Sequence, residues 1–476
     1  MKIVVAGAGF VGLTHAAVLA ENGHEVYAYD IDRAKLDDYA SGERERIERY
    51  VHEPGLADII AEALGRTLFF VGPEGIEDAM DGARVVFLCP PTPPMRDGST
   101  DLRLYEDVAR FLGGLLARRS GANRVAVVNK STVPIGAARR LQGILEACGA
   151  SNVGVASNPE FLPEGNAVEK SRRPDRVVIG ADTVEDFDLL RHVYPQFYNH
   201  VRIGYLETTP ETAEAIKYVA NTLLLTYISF WNGVGARLAE TFDNVSMEDL
   251  KRGVTSDDRI STWGSYVSNG AGGSCFGKDI QSLMYQMQRN GRPSSLLNDV
   301  FAINEYQKTY LVDRASHEAG FGFNHRSVAL LGLAFKKQTN DMRDASSLKV
   351  VEALLARGVR EIRAYDPLAM SEARRFFDPE QNHLFDRVTY CESAREAIEG
   401  SEALFITTDW EEFRALAPLI QRAVAPPYLV IDGRRMIADH EELAAAGFTY
   451  LAVGGQVLGP SMAAAAAERA VPVTPA

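Results

Sequence analysis

The sequence predicts an α/β protein: two Rossmann-like, doubly wound domains joined by a long central helix and a helical middle domain. The first observation is that short apolar runs alternate with helix-like periods at residues 3–6, 11–22 and 26–29. The second is that this alternation returns near residue 328. The third is a helically periodic stretch from Pro210 to about residue 240 with no further proline. Strands and helices that alternate in this way predict βαβ units and a parallel sheet in each outer domain.

The length of 476 residues fits about three domains. We predict a first Rossmann domain over residues 1–207, a central helical domain over 208–312 and a second Rossmann-like domain over 313–455. The remaining segment, 456–476, ends in an alanine run and two prolines and is predicted to be a flexible tail.

Composition and charge exclude several classes of protein. Hydrophobic residues make up 46% and charged residues 24% of the chain, which is ordinary for a globular protein. The net charge of −14 disfavours nucleic acid and anionic lipid as partners. Four cysteines without CxxC spacing fit a reducing compartment, and neither a signal peptide nor a long apolar span is recognisable. We therefore expect a cytoplasmic protein with no membrane partner.

The two outer domains share a βαβ plan. The first strand–helix–strand unit closes on Ala28-Tyr29-Asp30, and the later one, which begins at 328–332, closes on Ala364-Tyr365-Asp366. This similarity indicates a weak internal duplication. The second copy lacks the glycine fingerprint of the first, so we expect it to bind something other than a dinucleotide.

The sequence Gly7-Ala8-Gly9-Phe10-Val11-Gly12 follows the first predicted strand and begins the first helix. Glycines at these positions permit a tight turn and let a pyrophosphate approach the backbone at the helix N-terminus. Asp30 ends the next strand, where a carboxylate can accept a hydrogen bond from a ribose 2′-hydroxyl. The pattern favours NAD over NADP, although Arg33 and Lys35 nearby leave NADP open.

A second glycine-rich segment, 272–279, places Cys275 beside a lysine and an aspartate. Nearby cations and exposed amides lower the pKa of a thiol, which favours a reactive cysteine here. Cys89 lies in an apolar run and is predicted to be a small buried residue, as are Cys148 and Cys391.

Two further segments carry polar groups suited to catalysis. The 158–165 segment follows a predicted strand and holds Glu160 and Glu164 at the edge where α/β ligand sites form. Lys217 and Asn221 are four residues apart on the central helix and point the same way. Each pattern taken alone also fits a solvated loop acid or an exposed polar helix face.

Taken together, these segments resemble the UDP-glucose/GDP-mannose dehydrogenase family from Met1 to about Met436. The matching motifs, in chain order, are the glycine turn at 7–12, Ser131-Thr132-Val133-Pro134-Ile135-Gly136, the 158–165 segment, 216–221, the Cys275 loop, 332–336, 341–344 and 432–434.

The resemblance implies an NAD-dependent, four-electron oxidation of the C6 alcohol of a nucleotide sugar to a carboxylate. Two NAD are reduced per substrate, and Cys275 carries first a thiohemiacetal and then a thioester. The first domain would bind NAD and the third the UDP moiety. UDP-glucose is the leading substrate, while UDP-galactose, UDP-N-acetylhexosamines and GDP-mannose remain alternatives. A two-electron hydroxyacid dehydrogenase and an inactive nucleotide-sugar-binding regulator also remain open.

The resemblance also implies roles for individual residues, and no metal site. The implied catalytic residues are Cys275, Lys217, Asn221, Asp279, Glu160 and Thr132. The implied NAD contacts are Gly7, Gly9, Phe10, Val11, Gly12, Asp30, Lys35, Thr92, Thr132, Glu164, Lys278 and Arg343. The implied substrate contacts are Glu160, Phe161, Leu162, Lys217, Asn221, Arg259, Gly272, Phe335, Lys336 and Arg434.

Arg259 matches an arginine that in this family reaches the substrate of the neighbouring subunit, which implies a homodimer or higher homo-oligomer packed along the central helix. Two positions depart from the family pattern. Gly277 replaces a common proline and removes a φ restraint from the cysteine loop. Ala271 replaces a common aromatic residue, which allows a sugar larger than glucose, although the 158–162 segment favours the UDP-glucose branch over N-acetylated sugars.

Overall fold

The computed structural model of the protein describes residues 1–119 and 123–463. The chain forms two units, one of residues Met1–Ala220 and Gln281–Arg292, the other of Asn221–Ile280 and the described residues from Pro293 on. The predicted three-domain division stays a prediction. Of the predicted flexible tail, residues 464–476 lie outside the described part. No helix within the described ranges is long and apolar enough to cross a membrane.

Strands and helices alternate through the first part of the chain. The strands are β1 Lys2–Ala6, β2 Glu25–Tyr29, β3 Leu68–Val71, β4 Val85–Leu88, β5 Val125–Asn129, β6 Val153–Ser157, β7 Arg176–Ala181 and β8 Gly204–Thr208. The helices are α1 Phe10–Glu21, α2 Arg33–Ala40, α3 Arg44–Glu48, α4 Leu56–Ala63, α5 Ile76–Met80, α6 Arg103–Arg118, α7 Ala137–Ala147, α8 Ala167–Arg172 and α9 Val184–Val193.

These strands form one sheet in the order β3-β2-β1-β4-β5-β6-β7-β8. The first six run parallel and have the strand order of a dinucleotide-binding fold. All four residues of β4 are apolar and buried, as expected for a central parallel strand covered on both faces. The expectation of a parallel sheet is wrong for the last two strands. β7 pairs with β6 antiparallel, because the connection over 158–175 stays at the carboxyl edge of β6 and does not cross back to its amino edge.

The middle of the chain is helical. Its helices are α10 Pro210–Phe230, α11 Ala236–Thr241, α12 Met247–Val254, α13 Phe276–Arg289 and α14 Ser295–His317. The predicted central helix therefore begins at Pro210 as expected. It is continued to Thr241 by a wider π-helical turn at Trp231–Gly235. A Cβ atom on Gly235 would lie 2.8 Å from the Trp231 ring, so glycine lets the wider turn pack closely.

The last part of the chain repeats the opening plan. Its strands are β9 Ser327–Leu331, β10 Glu361–Tyr365, β11 Val388–Tyr390, β12 Ala403–Ile406, β13 Leu429–Asp432 and β14 Thr449–Ala452. Its helices are α15 Ser346–Ala356, α16 Met370–Phe376, α17 Ala394–Ile398, α18 Ala417–Ala423 and α19 His440–Ala445, with short 3₁₀ turns at His383–Arg387 and Glu411–Ala415.

The second sheet is parallel throughout and has the order β11-β10-β9-β12-β13-β14, which reproduces the order of the first six strands of the first sheet. Apolar cores cover both faces of each sheet. The predicted α/β class with two doubly wound, Rossmann-like sheets is confirmed, and so is the duplicated βαβ plan.

Candidate active site

The turn between β1 and α1 is shaped by two glycines. Gly7 has φ +103°, a left-handed conformation that favours glycine, and a Cβ atom there would lie 2.7 Å from the carbonyl oxygen of Cys89. A Cβ atom on Gly12 would lie 1.8 Å from the carbonyl oxygen of Gly7. Both positions therefore exclude any side chain, as expected for the glycine fingerprint.

Gly9 differs, because neither its φ of −80° nor a neighbouring atom requires glycine. No heavy atom lies within 4 Å of the place where its Cβ would be, so the absent side chain leaves space at the N-terminus of α1. Phe10 and Val11 begin that helix and are partly exposed. A pyrophosphate fits this open, amide-lined turn.

Asp30 closes the turn at the end of β2. Its Oδ2 atom accepts hydrogen bonds from the Ala8 N–H at 2.9 Å and from Lys35 Nζ at 2.5 Å. The side chain remains 12% exposed. The carboxylate therefore has acceptor capacity left for a ribose hydroxyl, and the residues present fit NAD.

The equivalent aspartate of the second sheet, Asp366, makes its hydrogen bonds inside the protein. Asp366 is 1% exposed. Its carboxylate accepts hydrogen bonds from the N–H groups of Leu333, Ala334, Leu368 and Ala369 and from Trp410 Nε1. No acceptor is left for a ribose, which agrees with the expectation that this copy binds something other than a dinucleotide.

Glu160 and Lys217 form a buried ion pair in the first unit. Lys217 Nζ, on α10, donates to Glu160 Oε1 at 2.8 Å, and the Leu162 N–H donates to Glu160 Oε2 at 2.5 Å. The residues are 7% and 4% exposed, respectively, so the pair is shielded from water. The centroid of the Phe161 ring lies 5.5 Å from Lys217 Nζ and 3.9 Å from the Arg176 guanidinium.

The protonation state of Glu160 follows from two opposing effects. Burial alone would raise the pKa of its carboxyl group. The charge and hydrogen bond of Lys217, the Leu162 N–H and the charge of Lys130 outweigh burial and lower that pKa below its ordinary value. Glu160 is therefore an ionised base at neutral pH.

Thr132 lies in the loop that connects β5 with α7. Thr92 Oγ1 donates to its carbonyl oxygen at 2.9 Å. The same loop is attached to α10 by Glu214, whose carboxylate accepts from the N–H groups of Gly136 at 2.7 Å and Ala138 at 2.9 Å. Sequence reasoning missed Glu214, although it lies one helical turn before Lys217.

Lys130 was also missed. It follows β5 directly, is 7% exposed and donates from Nζ to Asn158 Oδ1 at 2.8 Å. The sequence did contain a signal, since Lys130 directly follows a run of apolar residues. If that run is a central strand, the lysine after it is buried and needs a hydrogen-bond partner.

Asn221 and Asp279 form a hydrogen-bonded pair in the second unit. Asn221 Nδ2, one turn after Lys217 on α10, donates to Asp279 Oδ2 at 2.6 Å. Lys278 Nζ donates to the other carboxylate oxygen at 2.5 Å. Asp279 is fully buried, so its negative charge is balanced by these donors.

Cys275 immediately precedes α13 and is partly exposed. Its carbonyl oxygen accepts the Asp279 N–H at 2.8 Å, which begins the helix. The Ser274 hydroxyl lies 3.7 Å from its sulfur. A helix N-terminus favours the thiolate over the thiol.

The other cysteines differ. Cys89 and Cys391 are buried as predicted, and burial raises the pKa of the Cys89 thiol to about 12 and that of Cys391 to about 11. Cys148 was predicted to be buried and is only partly so, because it follows α7 at the surface.

Close packing holds the cysteine loop. A Cβ atom on Gly272 would lie 2.5 Å from the Asp344 carbonyl oxygen, and one on Gly273 would lie 2.8 Å from the Phe335 ring. A Cβ atom on Gly277 would lie 2.8 Å from Asp344 Oδ2. Glycine at 277 therefore makes room for a carboxylate that pairs with the fully buried Lys308 at 2.5 Å.

The remaining predicted substrate residues of the second unit lie near the carboxyl ends of its strands. Arg434 donates from Nε to the Thr407 carbonyl at 2.7 Å and from Nη2 to the Phe335 carbonyl at 3.1 Å. Lys336 Nζ lies 5.4 Å from the centre of the Phe335 ring. Arg343, which was predicted to contact NAD and not the substrate, pairs with Asp341 at 2.7 Å.

Arg259 and Glu164 are two further residues predicted from the sequence. The Arg259 side chain is 88% exposed and pairs with Asp257 at 2.6 Å. Glu164 is partly exposed in the loop after Glu160. The roles of all these residues stay predictions. No group of three metal-ligating side chains occurs in the described ranges.

Three family models match the chain in order. They are the NAD binding domain of the UDP-glucose/GDP-mannose dehydrogenase family over residues 1–198, its central domain over 211–306 and its UDP binding domain over 329–439.

Individual proteins match nearly the whole length. A UDP-glucose 6-dehydrogenase from Pseudomonas aeruginosa is 39% identical over 98% of this chain and 100% of its own. A UDP-glucose dehydrogenase structure from Pyrobaculum islandicum has a TM-score of 0.83 at 33% identity, covering 95% of this chain and 97% of its own. A UDP-D-ManNAc dehydrogenase structure from Pyrococcus horikoshii has a TM-score of 0.79 at 25% identity, covering 95% and 99%. With three domain models in order and such relatives along its length, the chain belongs to the UDP-glucose/GDP-mannose dehydrogenase family.

Proposed function

We propose that this protein oxidises the C6 hydroxymethyl group of UDP-glucose to a carboxylate, with the reduction of two NAD per substrate. The observation that carries the proposal is the arrangement on α10. Lys217 and Asn221, one turn apart, are each bonded to a buried carboxylate, and the second of these, Asp279, lies four residues after Cys275. The full-length similarity to UDP-glucose 6-dehydrogenases supports the same substrate.

The first oxidation removes a proton and a hydride from the C6 alcohol. When bound, NAD accepts the hydride in each oxidation. Lys217, Asn221 and Asp279 supply a cation, an amide donor and a carboxylate from one helix face and the helix beside it. These groups orient the alcohol and stabilise the oxyanion charge that develops on its oxygen.

The second half of the reaction uses Cys275. Its thiolate adds to the aldehyde and forms a thiohemiacetal, which loses a second hydride and becomes a thioester. Covalent attachment keeps the aldehyde from escaping. Water then hydrolyses the thioester, and Glu160, ionised at neutral pH, takes the proton from that water while Thr132 orders it.

The remaining predicted contacts belong to the same proposal. The glycine turn and Asp30 hold NAD, and the cations of the second unit hold the diphosphate, since Lys and Arg recognise phosphate in an otherwise acidic protein. The cytoplasmic location is part of this proposal as well.

We propose further that the protein forms a homodimer along the central helix. Leu223, Phe230, Val234 and Leu238 expose 38–54% of their surfaces on α10 and its continuation. Apolar side chains at helical spacing favour an interface. Sedimentation velocity tests this proposal, and a monomer at micromolar concentration contradicts it.

One substrate screen tests the activity. The purified protein is mixed with NAD and, separately, UDP-glucose, UDP-galactose, UDP-N-acetylglucosamine and GDP-mannose, and NADH is measured against substrate consumed. We expect two NADH per UDP-glucose. One NADH per substrate contradicts the four-electron chemistry. Preference for another nucleotide sugar contradicts UDP-glucose alone, and binding without NADH formation indicates an inactive regulator.

A further inference from the structure

A buried lysine in the first unit has no part in the chemistry proposed above. The Lys130 ammonium donates to Asn158 Oδ1 at 2.8 Å, and the Tyr194 hydroxyl donates to the same oxygen at 2.6 Å. Asn158 Nδ2 donates to the Val178 carbonyl at 2.8 Å, which fixes the orientation of the amide. Such an ammonium is costly to bury, so its retention calls for a reason.

The position of Asn158 connects this lysine with the proposed base. Asn158 begins the segment that carries Glu160 two residues later, so the bond from Lys130 holds one end of that segment in place. At the other end, Glu160 accepts from Lys217 and from the Leu162 N–H. The positive charge of Lys130 also acts on the Glu160 carboxylate and favours its ionised form.

A cavity of about 70 Å³ lies beside these groups. Its wall is largely apolar, and it includes the polar side chains of Lys130, Asn158, Glu160, Tyr194, His15 and Lys170. Two water molecules, at about 30 Å³ each, fit such a volume, and these polar side chains offer them partners. The cavity therefore gives water access to the buried lysine and to the segment that carries the base.

We propose that Lys130 is a positioning residue for Glu160: it fixes the 158–162 segment, so that the Glu160 carboxylate is held in place for hydrolysis of the thioester on Cys275. This inference rests on the proposed function, in which Glu160 serves the hydrolytic step. It predicts that removing the ammonium slows hydrolysis and leaves both oxidations nearly intact.

The proposal also predicts that the rate of hydrolysis depends on pH, because of the charged groups around Lys130. Burial lowers the pKa of Lys130 to about 8; the negative charge of Glu160 opposes this shift, and the positive charge of Lys217 adds to it. Burial raises the pKa of the Cys89 thiol to about 12 and lowers that of His15 well below its ordinary value, so both stay neutral between pH 7 and 9. Tyr194 also stays neutral, because burial raises its pKa. Lys130 thus loses its charge in this range, so its charge-assisted hydrogen bond to Asn158 becomes a weaker neutral one. The 158–162 segment is then held less firmly, and hydrolysis should slow.

The test compares Lys130→Met and Lys130→Gln with the parent and with Lys170→Met. Lys170 borders the same cavity, but its ammonium pairs with Asp175 at 2.9 Å, so that variant controls for the loss of a cation from the cavity wall. Rapid mixing with UDP-glucose and saturating NAD resolves the NADH burst from steady turnover. Intact-protein mass spectrometry detects the acyl-enzyme.

We expect Lys130→Met to keep a burst of two NADH per site, to lower kcat about tenfold or more and to accumulate acyl-enzyme. Lys130→Gln retains a donor for Asn158 without the charge, so its kcat should fall less, and both variants should lack the decline of hydrolysis near pH 8. Lys170→Met should behave as the parent.

Three results would overturn the inference. The first is an unchanged kcat in a folded Lys130 variant, and the second is loss of the burst in parallel with kcat. The third needs no variant: a hydrolysis rate of the parent that stays constant from pH 7 to 9.5. If the parent forms no NADH with any nucleotide sugar, the proposed function fails and the inference fails with it, whereas normal parent turnover with unaffected variants refutes the inference alone.

Discussion

Replacing Glu214 by leucine tests how the Thr132 loop is attached to α10. The Glu214 carboxylate accepts the N–H groups of Gly136 at 2.7 Å and Ala138 at 2.9 Å, and the Ser157 hydroxyl at 3.0 Å. The two N–H groups belong to the start of α7, where no intrahelical acceptor is available. Leucine has a similar volume but no acceptor, so it removes all three bonds while filling the space.

The size of the effect follows from these contacts. The buried N–H of Ala138 and the partly buried N–H of Gly136, left without an acceptor, cost about 2 kcal/mol each, or about 4 kcal/mol together, while the serine hydroxyl can rotate. Burial raises the pKa of Glu214 from 4.5 to about 6, so ionising the carboxyl group at pH 7 costs the native state about 2 kcal/mol. Leucine removes that cost, and the net loss at pH 7 is about 2 kcal/mol.

The loss should increase in acid. Because the pKa of Glu214 is higher in the folded than in the unfolded chain, the stabilisation by its protonated form is complete below pH 4.5 and disappears as the pH rises through about 6. The leucine variant lacks this gain. The difference in stability between parent and variant should therefore grow from about 2 kcal/mol at pH 7 to about 3 kcal/mol at pH 5.

Native-state hydrogen exchange of the amides of α7, Ala137–Ala147, measures this difference directly. We expect exchange about 30-fold faster in the variant than in the parent at pH 7. Glu211→Leu is the control, because Glu211 lies on the same helix but forms an exposed pair with Arg139, worth at most about 1 kcal/mol. A ratio below about threefold at both pH values, or a smaller difference at pH 5 than at pH 7, would refute the reasoning.

Four further predictions concern the reaction, the cofactor and the glycine turn. Cys275→Ala should abolish full turnover of UDP-glucose, and unchanged formation of two NADH per substrate would exclude the covalent step. Asp30→Ala should raise the KM for NAD about 10- to 100-fold with little change in kcat, since it removes a charged hydrogen-bond acceptor. Gly9→Ala should weaken NAD binding measured by calorimetry without lowering Tm, because its Cβ would enter open space. Gly12→Ala should lower Tm or prevent folding, because its Cβ would lie 1.8 Å from the Gly7 carbonyl oxygen.

The fold was largely predictable because its signals are local. The apolar segments that become β1, β4 and β9 and the proline at the start of α10 each report the structure of a few neighbouring residues. The antiparallel pairing of β7 was not predictable in this way. The direction of a strand depends on the edge of the sheet at which the preceding connection ends. A short apolar run is compatible with either direction.

The candidate site was predictable in part. Glu160, Lys217, Asn221 and Asp279 were identified from motifs, and the structure joins them in pairs. Lys130 was missed, because the meaning of a buried lysine depends on a partner distant in sequence, here Asn158. A polar residue that positions another polar residue belongs to no periodic pattern in the sequence. Sequence patterns therefore identify the reacting groups more readily than the residues that position them.

The two Rossmann-like sheets show how one plan can serve two ligands. Both have the same order in six strands and end their second strand before an aspartate, Asp30 or Asp366. The Asp30 side chain remains partly exposed beside the open space at Gly9. The carboxylate oxygens of Asp366, in contrast, accept hydrogen bonds from five donors inside the protein. The first aspartate can therefore still accept a hydrogen bond from a ligand, while the second stabilises the loops around it. The carboxylate is present in both copies, and the copies differ in how much of its hydrogen-bonding capacity remains after folding.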